Sequence, residues 1–217
     1  IVTMPMAARR AIVQAVESAG LEVMRLHLSL NVIAAAVSGA FPQTHRQLVV
    51  DIGGVSADAG LFVNGQLWNT RTLPWGGLTL ALEIARTLSA TVEQAVTMSL
   101  QGLSSPKPEI RQLLERELRV LQQAIGELLA DEPRPEIALV TGRGALIDGV
   151  VEWLERFTKI KAVLARSPRV QASGDMARQL ALTPVIGLLE LATRQAPRAT
   201  FTQPARFVDR LVNRTRL

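Results

Sequence analysis

Cysteine and tyrosine are absent from this chain of 217 residues, and only 4% of its residues are aromatic. Without cysteine, a disulfide scaffold and a thiolate metal site are both excluded, which fits a reducing compartment. A membrane-spanning helix needs an apolar run of about 18 residues, and no run in this sequence is that long. No signal peptide is recognisable either. His27 and His45 are isolated from other potential ligands, so no metal site is predicted.

The scarcity of aromatic rings also limits what the charge can mean. The chain carries 24 Lys and Arg against 19 Asp and Glu, which gives a net charge of +5 at pH 7. A basic surface attracts nucleic acid or anionic lipid. Single-strand binders interleave basic residues with stacking rings, and the sequence has no such run. Nucleic acid is therefore not an expected partner.

The chain does have enough apolar residues for a core. Hydrophobic residues make up 48% of it, and its length fits one large domain or two small ones. Periodic apolar segments predict helices at 7–19, 30–40, 78–88, 92–101, 109–129 and 146–157, and strands at 21–28, 137–141 and 161–165. A last helix is expected to begin at Thr183-Pro184, and Thr91 with Gln94 predicts a capping box. Helices alternating with strands predict an α/β fold.

The most informative segment is residues 49–65. An apolar run ends in Asp-Ile-Gly-Gly at 51–54, and a second, alternating run closes on Asn64-Gly65, a strong hairpin signal. A third strand is predicted at 66–73. Glycines in such a turn let the backbone approach a phosphate and point its N–H groups at an anion. From this segment alone, an ordinary hairpin whose glycines only make a turn is equally open.

Five motifs in order resemble the actin-like ATPase superfamily, which includes actin, sugar kinases, heat-shock chaperones, FtsA and PilM. They are residues 19–23, similar to a helix-to-strand passage; 51–54, similar to the second phosphate loop; 73–77, similar to a Gly-Gly segment; 139–145, similar to the adenosine loop; and 184–188, similar to the closing helix. The resemblance covers about residues 1 to 192. The short connection from Gly102 into the long helix looks more like PilM than FtsA.

The resemblance implies an actin-like, ribonuclease H-like lobe whose mixed sheet contains a three-stranded antiparallel hairpin unit flanked by helices. Residues 1–45 would be the end of the first lobe and a connecting helix. Residues 46–195 would form the second lobe, with the long amphipathic helix at 109–130, and 196–217 a basic tail. The chain begins at Ile1, not Met, and we expect it to be a piece of a longer protein.

In this superfamily a nucleotide lies between two lobes, so the fragment would hold half a site. On the phosphate side, the matching residues are Asp51, Gly53, Gly54 and Ser56; on the adenosine side, they are Gly76, Gly77, Gly142, Arg143, Gly144 and Ala145. Asp51 would face the metal-bound water or phosphate, and would be catalytic only in an active member. ATP and Mg are therefore expected only for the full-length parent, and no cofactor for the fragment alone.

Several positions depart from the family pattern. Val55 stands at a usual glycine and resists the glycine-type backbone, and Ser56 replaces a threonine. Val96 and Ser99 occupy positions where the family commonly has an acidic residue and a lysine, and Arg143 stands at a usual glycine. These changes indicate a degenerate nucleotide pocket.

The C-terminal tail has a basic and an apolar side if it is helical. Its candidate membrane residues are Arg206, Arg210 and Arg214 with Phe207 and Leu211. Such helices bind anionic membrane surfaces, as the terminal helix of FtsA-like proteins does. Docking on protein is the alternative, and both remain open.

We expect a non-catalytic scaffold in type IV pilus or secretion-machinery assembly, cytoplasmic and peripheral at the inner membrane. Its expected partners are other pilus, secretion or division proteins, with self-association left open, and the long helix and the hairpin edges are the expected contact surfaces. One alternative is a cell-division membrane tether of the FtsA kind. Another is an active Mg-ATP-dependent ATPase or phosphotransferase.

Overall fold

The computed structural model describes residues 4–130, 132–169 and 175–195. Its sheet contains five strands in the order β3-β2-β1-β4-β5. They are β1 (Arg46–Ile52), β2 (Ala57–Val63), β3 (Gln66–Leu73), β4 (Ile137–Thr141) and β5 (Ala162–Leu164). β2 pairs antiparallel with both β1 and β3. On the other side of β1, β4 lies parallel to β1, and β5 lies parallel to β4. This confirms the predicted mixed sheet with a three-stranded antiparallel unit.

Helices cover both faces of this sheet. They are α1 (Met6–Ser18), α2 (Ser29–Val37), α3 (Gly77–Leu88), α4 (Val92–Leu100), α5 (Pro108–Leu129), α6 (Val150–Thr158) and α7 (Met176–Gln195). Short 3₁₀ turns lie at Ser38–Ala40, Gly102–Ser104 and Arg143–Leu146. Each helix among the described residues is too short or too polar to span a lipid bilayer.

The alternation of β1 divides the core into two layers. Leu48, Val50 and Ile52 pack with the buried sides of α3, α5 and α6. Val49 points to the opposite face and packs with α2. Strand side chains alternate between faces, so a strand that is buried on both sides reads as a continuous apolar run.

The structure corrects the expectation of a strand at 21–28. These residues have no regular secondary structure, and Met24 is 81% exposed. An apolar segment becomes a strand only where a neighbouring strand accepts its backbone hydrogen bonds. The sheet offers no such neighbour to this segment among the described residues.

The closing helix begins earlier than predicted. α7 starts at Met176 and runs through Pro184, whereas we expected it to begin at Thr183-Pro184. The Asp175 carboxylate accepts a hydrogen bond from the N–H of Arg178 at 2.8 Å, which caps the helix start. Packing holds α7 against α2 so closely that a Cβ on Gly187 would collide with the carbonyl of Val32. Tertiary packing thus carries the helix past its proline.

The division of the chain at residue 45 stays a prediction. α1 has no buried residue, whereas α2 packs against α7 and buries most of its side chains. The predicted basic tail at 196–217 lies outside the described residues.

Candidate functional site

The turn after β1 is closed by its own backbone. The N–H of Gly53 donates to the carbonyl of Ser56 at 2.9 Å, so residues 53–56 form a tight link between β1 and β2. Val55 is 66% exposed in this turn. The hairpin predicted to carry the phosphate side is therefore present, with a valine on its surface.

The Gly-Gly segment at 76–77 docks directly on this turn. The N–H of Gly77 donates to the carbonyl of Gly53 at 3.0 Å, and the N–H of Leu78 donates to the carbonyl of Gly54 at 2.7 Å. These are orphan donors of the first turn of α3, whose N-cap makes no side-chain bond. A Cβ on Gly76 would lie 2.5 Å from the carbonyl oxygen of Gly54, which leaves no room for a side chain.

The loop after β4 is the third glycine segment in contact here. Gly142 has a φ of +82°, which favours glycine. A Cβ on Gly144 would collide with the side chain of Ile52, and a Cβ on Gly77 would lie 3.6 Å from the Cα of Gly144. Three segments that lie up to about 90 residues apart in sequence therefore form one wall.

These segments line a cavity of about 380 Å³. Its lining includes Gly53, Gly54, Gly77, Arg143 and Gly144 from the predicted set, together with Val96 and Ser99. Asp51, Ser56, Gly76, Gly142 and Ala145 are not among its lining residues. Sequence reasoning missed Leu78, Leu100, Leu146, Ile147 and Ala177, which also line it. The spacing of apolar residues at 92, 96 and 100 could have revealed one side.

The cavity is largely apolar. Leu78, Val96 and Leu100 line it, and Ser99, whose hydroxyl is the only one among the described lining residues, donates to the carbonyl of Val96 at 2.8 Å. The single charged lining residue is Arg143, which is exposed and has no hydrogen bond or ion pair with another described residue. The cavity can therefore hold an apolar group next to one anionic group.

Asp51 lies beside this wall near the end of β1. It is opposite Asp58 on β2 and opposite Thr141 on β4. Burial raises the pKa of Asp51 to about 6, and the negative charge of Asp58 adds to the rise. Asp58 accepts a hydrogen bond from Thr72 at 2.5 Å and a longer one from Ser29 at 3.4 Å.

A buried hydroxyl lies next to Asp51 in the sheet register. Thr141 is 1% exposed, and its Oγ1 has no hydrogen-bond partner within the described structure. A carboxyl that is half protonated near pH 6 can give or take a proton.

Among the described residues, no group of three or more His, Asp or Glu side chains could hold a metal ion.

The predicted membrane residues Arg206, Phe207, Arg210, Leu211 and Arg214 lie outside the described residues. Their assignment to an anionic membrane surface stays a prediction.

No protein-family model matches the chain. One curated relative, the cell division protein FtsA of Bacillus subtilis, is 32% identical over 93 residues, which are 42% of this chain and 20% of FtsA. The match therefore spans only a fifth of that protein.

Solved structures match over most of the chain. The ethanolamine utilization protein EutJ of Carboxydothermus hydrogenoformans has 22% identity and a TM-score of 0.61, with 85% of this chain and 61% of that chain covered. A PilM–PilN type IV pilus biogenesis complex has 19% identity, a TM-score of 0.65 and coverages of 87% and 58%. MreB5 of Spiroplasma citri bound to ADP has 16% identity, a TM-score of 0.69 and coverages of 89% and 69%.

The chain thus spans about three fifths of the EutJ and PilM chains. The likeness extends over both sheet and helices, in agreement with the motif order that the sequence predicted. The chain has the actin-like ATPase fold.

Proposed function

We propose that this chain belongs to an actin-like scaffold that does not hydrolyse nucleotide and that assembles type IV pilus or secretion machinery. It would work in the cytoplasm, peripherally at the inner membrane. The likeness to a PilM–PilN type IV pilus biogenesis complex supports the assembly role. The chain spans 58% of the matched chain in that complex, so the assembly role is proposed and not carried over with the fold.

The observation that carries the non-catalytic part is the apolar cavity between the three glycine segments. Val96 stands where the family commonly has a charged residue in its adenosine pocket, and Leu78 and Leu100 line the same cavity. The ribose and base of a nucleotide buried there would lose hydrogen bonds to water, and the described lining side chains offer only the Arg143 guanidinium and the Ser99 hydroxyl in exchange. Polar groups left without a replacement partner make such burial unfavourable. The Arg143 side chain also lines this cavity where the family usually has a glycine.

Calorimetry with Mg-ATP tests this directly, on the 217-residue chain and on the full-length parent. We expect no binding heat at millimolar nucleotide. Micromolar binding that disappears in Asp51→Ala, but persists in the exposed control Glu115→Ala, would contradict the proposal. The assembly role is tested separately, by titrating peptides from the cytoplasmic ends of inner-membrane pilus and secretion proteins into the chain.

A division tether of the FtsA kind is the second candidate, favoured by the 32% identity to FtsA over 93 residues. It predicts that the chain sediments with anionic vesicles and not with neutral ones. Reversing the charges of Arg206, Arg210 and Arg214 together would then abolish sedimentation. Equal behaviour with both kinds of vesicle would exclude this candidate.

An active ATPase or phosphotransferase is the third candidate. The close approach of the three glycine segments and the position of Asp51 beside them favour it. One of its structural neighbours, MreB5, was solved with ADP bound. Tight Mg-ATP binding together with phosphate release that depends on Asp51 would establish it in place of the scaffold.

A further inference from the structure

An apolar surface runs along the outer sides of α3 and α4. We define the α3–α4 face by five side chains with exposures between 37% and 49%: Leu78, Leu82, Val92, Val96 and Leu100. Leu78, Val96 and Leu100 line one cavity, so they are neighbours. Leu82 and Val92 each lie one helical turn from a member of that group, so the face is continuous.

This face is not needed to hold the two helices in place. α3 is anchored on its other side by Leu80, Ala81 and Ile84, which are fully buried, and α4 by Ala95. A capping box at Thr91 and Gln94 fixes the start of α4. The outer apolar side chains are therefore surplus to the core, and apolar surface of this kind marks an interaction site.

The two ends of the face carry opposite charges that have no partner among the described residues. Glu93 lies in the first turn of α4, and Arg143 lines the cavity beside the far end of the helix. Neither side chain has a hydrogen bond or ion pair with another described residue. Other charges nearby are already engaged: Glu83 pairs with Arg86 at 2.8 Å, and Asp148 accepts a hydrogen bond from Ser104.

We propose that the α3–α4 face binds the same face of a second copy of this chain. The two copies would be related by a two-fold axis, with α4 antiparallel to α4 and Glu93 of each copy next to Arg143 of the other. A two-fold interface must be self-complementary. An apolar stripe meets that requirement when an anion at one end and a cation at the other, neither paired within the described structure, are brought together by the two-fold axis.

The nine residues of α4 span only about 13 Å, at roughly 1.5 Å per residue. Two short helices per copy cover much less than the roughly 1,600 Å² of a standard stable interface. The dimer is therefore weak, and it gains strength only where several copies are held together, as in an assembly. The inference rests on the proposed scaffold role because that role would hold several copies together. The dimer contact itself requires neither nucleotide nor another protein.

Charge reversal tests the pairing by sedimentation velocity of the 217-residue chain at several concentrations. We expect Arg143→Glu and Glu93→Arg each to weaken association at least about tenfold, and the double variant to recover most of the loss. Arg119→Glu, a matched charge change on exposed α5, should have no effect. A wild-type chain that stays monomeric, or a double variant that is no better than the single ones, overturns the proposal.

A disulfide provides a second test, because the chain has no cysteine of its own. Thr97 is exposed near the middle of α4, where the two-fold axis would pass. Thr97→Cys should form a disulfide-linked dimer under mild oxidation, whereas Gln122→Cys on α5 should not. Equal cross-linking of both variants, or of neither, contradicts the interface. Because these tests use no nucleotide, failure of the dimer leaves the calorimetric test of the scaffold role unaffected.

Discussion

At the scale of single residues, the site depends on glycines, which have no side chain. Gly76, Gly77 and Gly144 bring three backbone segments within contact distance, and a methyl group at 76 or 144 would overlap with a neighbour. Asp51, an acidic residue beside this wall, is half buried and opposite a second carboxylate. Single substitutions can test both the close backbone contacts and the burial of Asp51.

Gly144→Ala should destabilise the protein. The added methyl group collides with Ile52 at the end of the central strand, and overpacking of this kind costs about 1–3 kcal/mol. Gly39→Ala is the matched control, because nothing lies within 4 Å of its added Cβ. Urea unfolding should show a loss for position 144 and a change within about 0.5 kcal/mol for position 39. Equal effects would mean that the close approach at Gly144 is not tight.

Asp51→Asn should make stability depend differently on pH. The folded protein raises the pKa of Asp51 from 3.8 to about 6, so the fold binds this proton more tightly than the unfolded chain does. The stabilisation from the protonated carboxyl is full below about pH 4 and is lost as the pH rises through about 6. At pH 7.5, the Asn variant should therefore gain on the order of 2 kcal/mol over the wild type.

The measurement is the free energy of unfolding of both proteins from pH 4 to 8. The gap between them should open as the pH rises. Glu115→Gln, at an exposed position on α5, should keep a constant difference from the wild type. A gap for Asp51→Asn that does not change with pH would contradict the burial of this carboxyl.

At the scale of elements, the structure changes which surfaces are free. The apolar side of α5, including Ile110, Leu114 and Leu118, is buried in the core, so a contact surface on the long helix would use its exposed polar side, and that role stays a prediction. On the edge strand β3, the side chain of Asn69 accepts from the N–H of Thr70, and Arg71 donates to the carbonyl of Thr70. Occupied peptide groups discourage strand addition. The α3–α4 face is the better candidate.

Thr91→Ala should weaken α4 at its start. The Thr91 hydroxyl accepts from the N–H of Gln94 at 3.3 Å, and the Gln94 side chain accepts from the N–H of Thr91 at 3.0 Å. Loss of such a cap costs about 1 kcal/mol. Thr97→Ala, an exposed change within the same helix, should be nearly neutral. Thermal unfolding should rank the two variants in this order, and the reverse order would rule out a capping role for Thr91.

At the scale of the whole molecule, one cooperative unit is expected from the way the core is built. A single cluster joins the sheet to α3, α5 and α6, so loss of a side chain there is felt across the domain. The second cluster joins the other face of the sheet to α2. Both clusters share β1 and β4, whose side chains alternate between them.

Leu118→Ala should therefore lower the stability of the whole sheet by about 2–5 kcal/mol, because Leu118 is completely buried. Val120→Ala, two residues along the same helix and 46% exposed, should change it by less than about 0.5 kcal/mol. Circular dichroism and tryptophan fluorescence should report one coincident transition for each variant. Separate transitions would show that the sheet and the helices unfold independently.

Elements whose signals are local could be predicted from the amino-acid order. Strands at 66–73 and 137–141 and the capping box at Thr91 are where their patterns predicted them, because alternation, turn residues and caps act within a few residues. The alternation of elements was sufficient for the α/β class, and the order of the glycine motifs for the actin-like fold. Interactions between residues close in sequence, together with the order of the motifs, were enough for these predictions.

Features that depend on neighbours distant in sequence emerged from the packed fold. It left 21–28 out of the sheet, where no described strand accepts its hydrogen bonds, and it extended α7 through Pro184 because packing on α2 holds the helix. It joined three glycine segments around an apolar cavity, and it raised the pKa of Asp51 through burial beside Asp58. Contacts between residues far apart in sequence set all of these, and no local pattern encodes them.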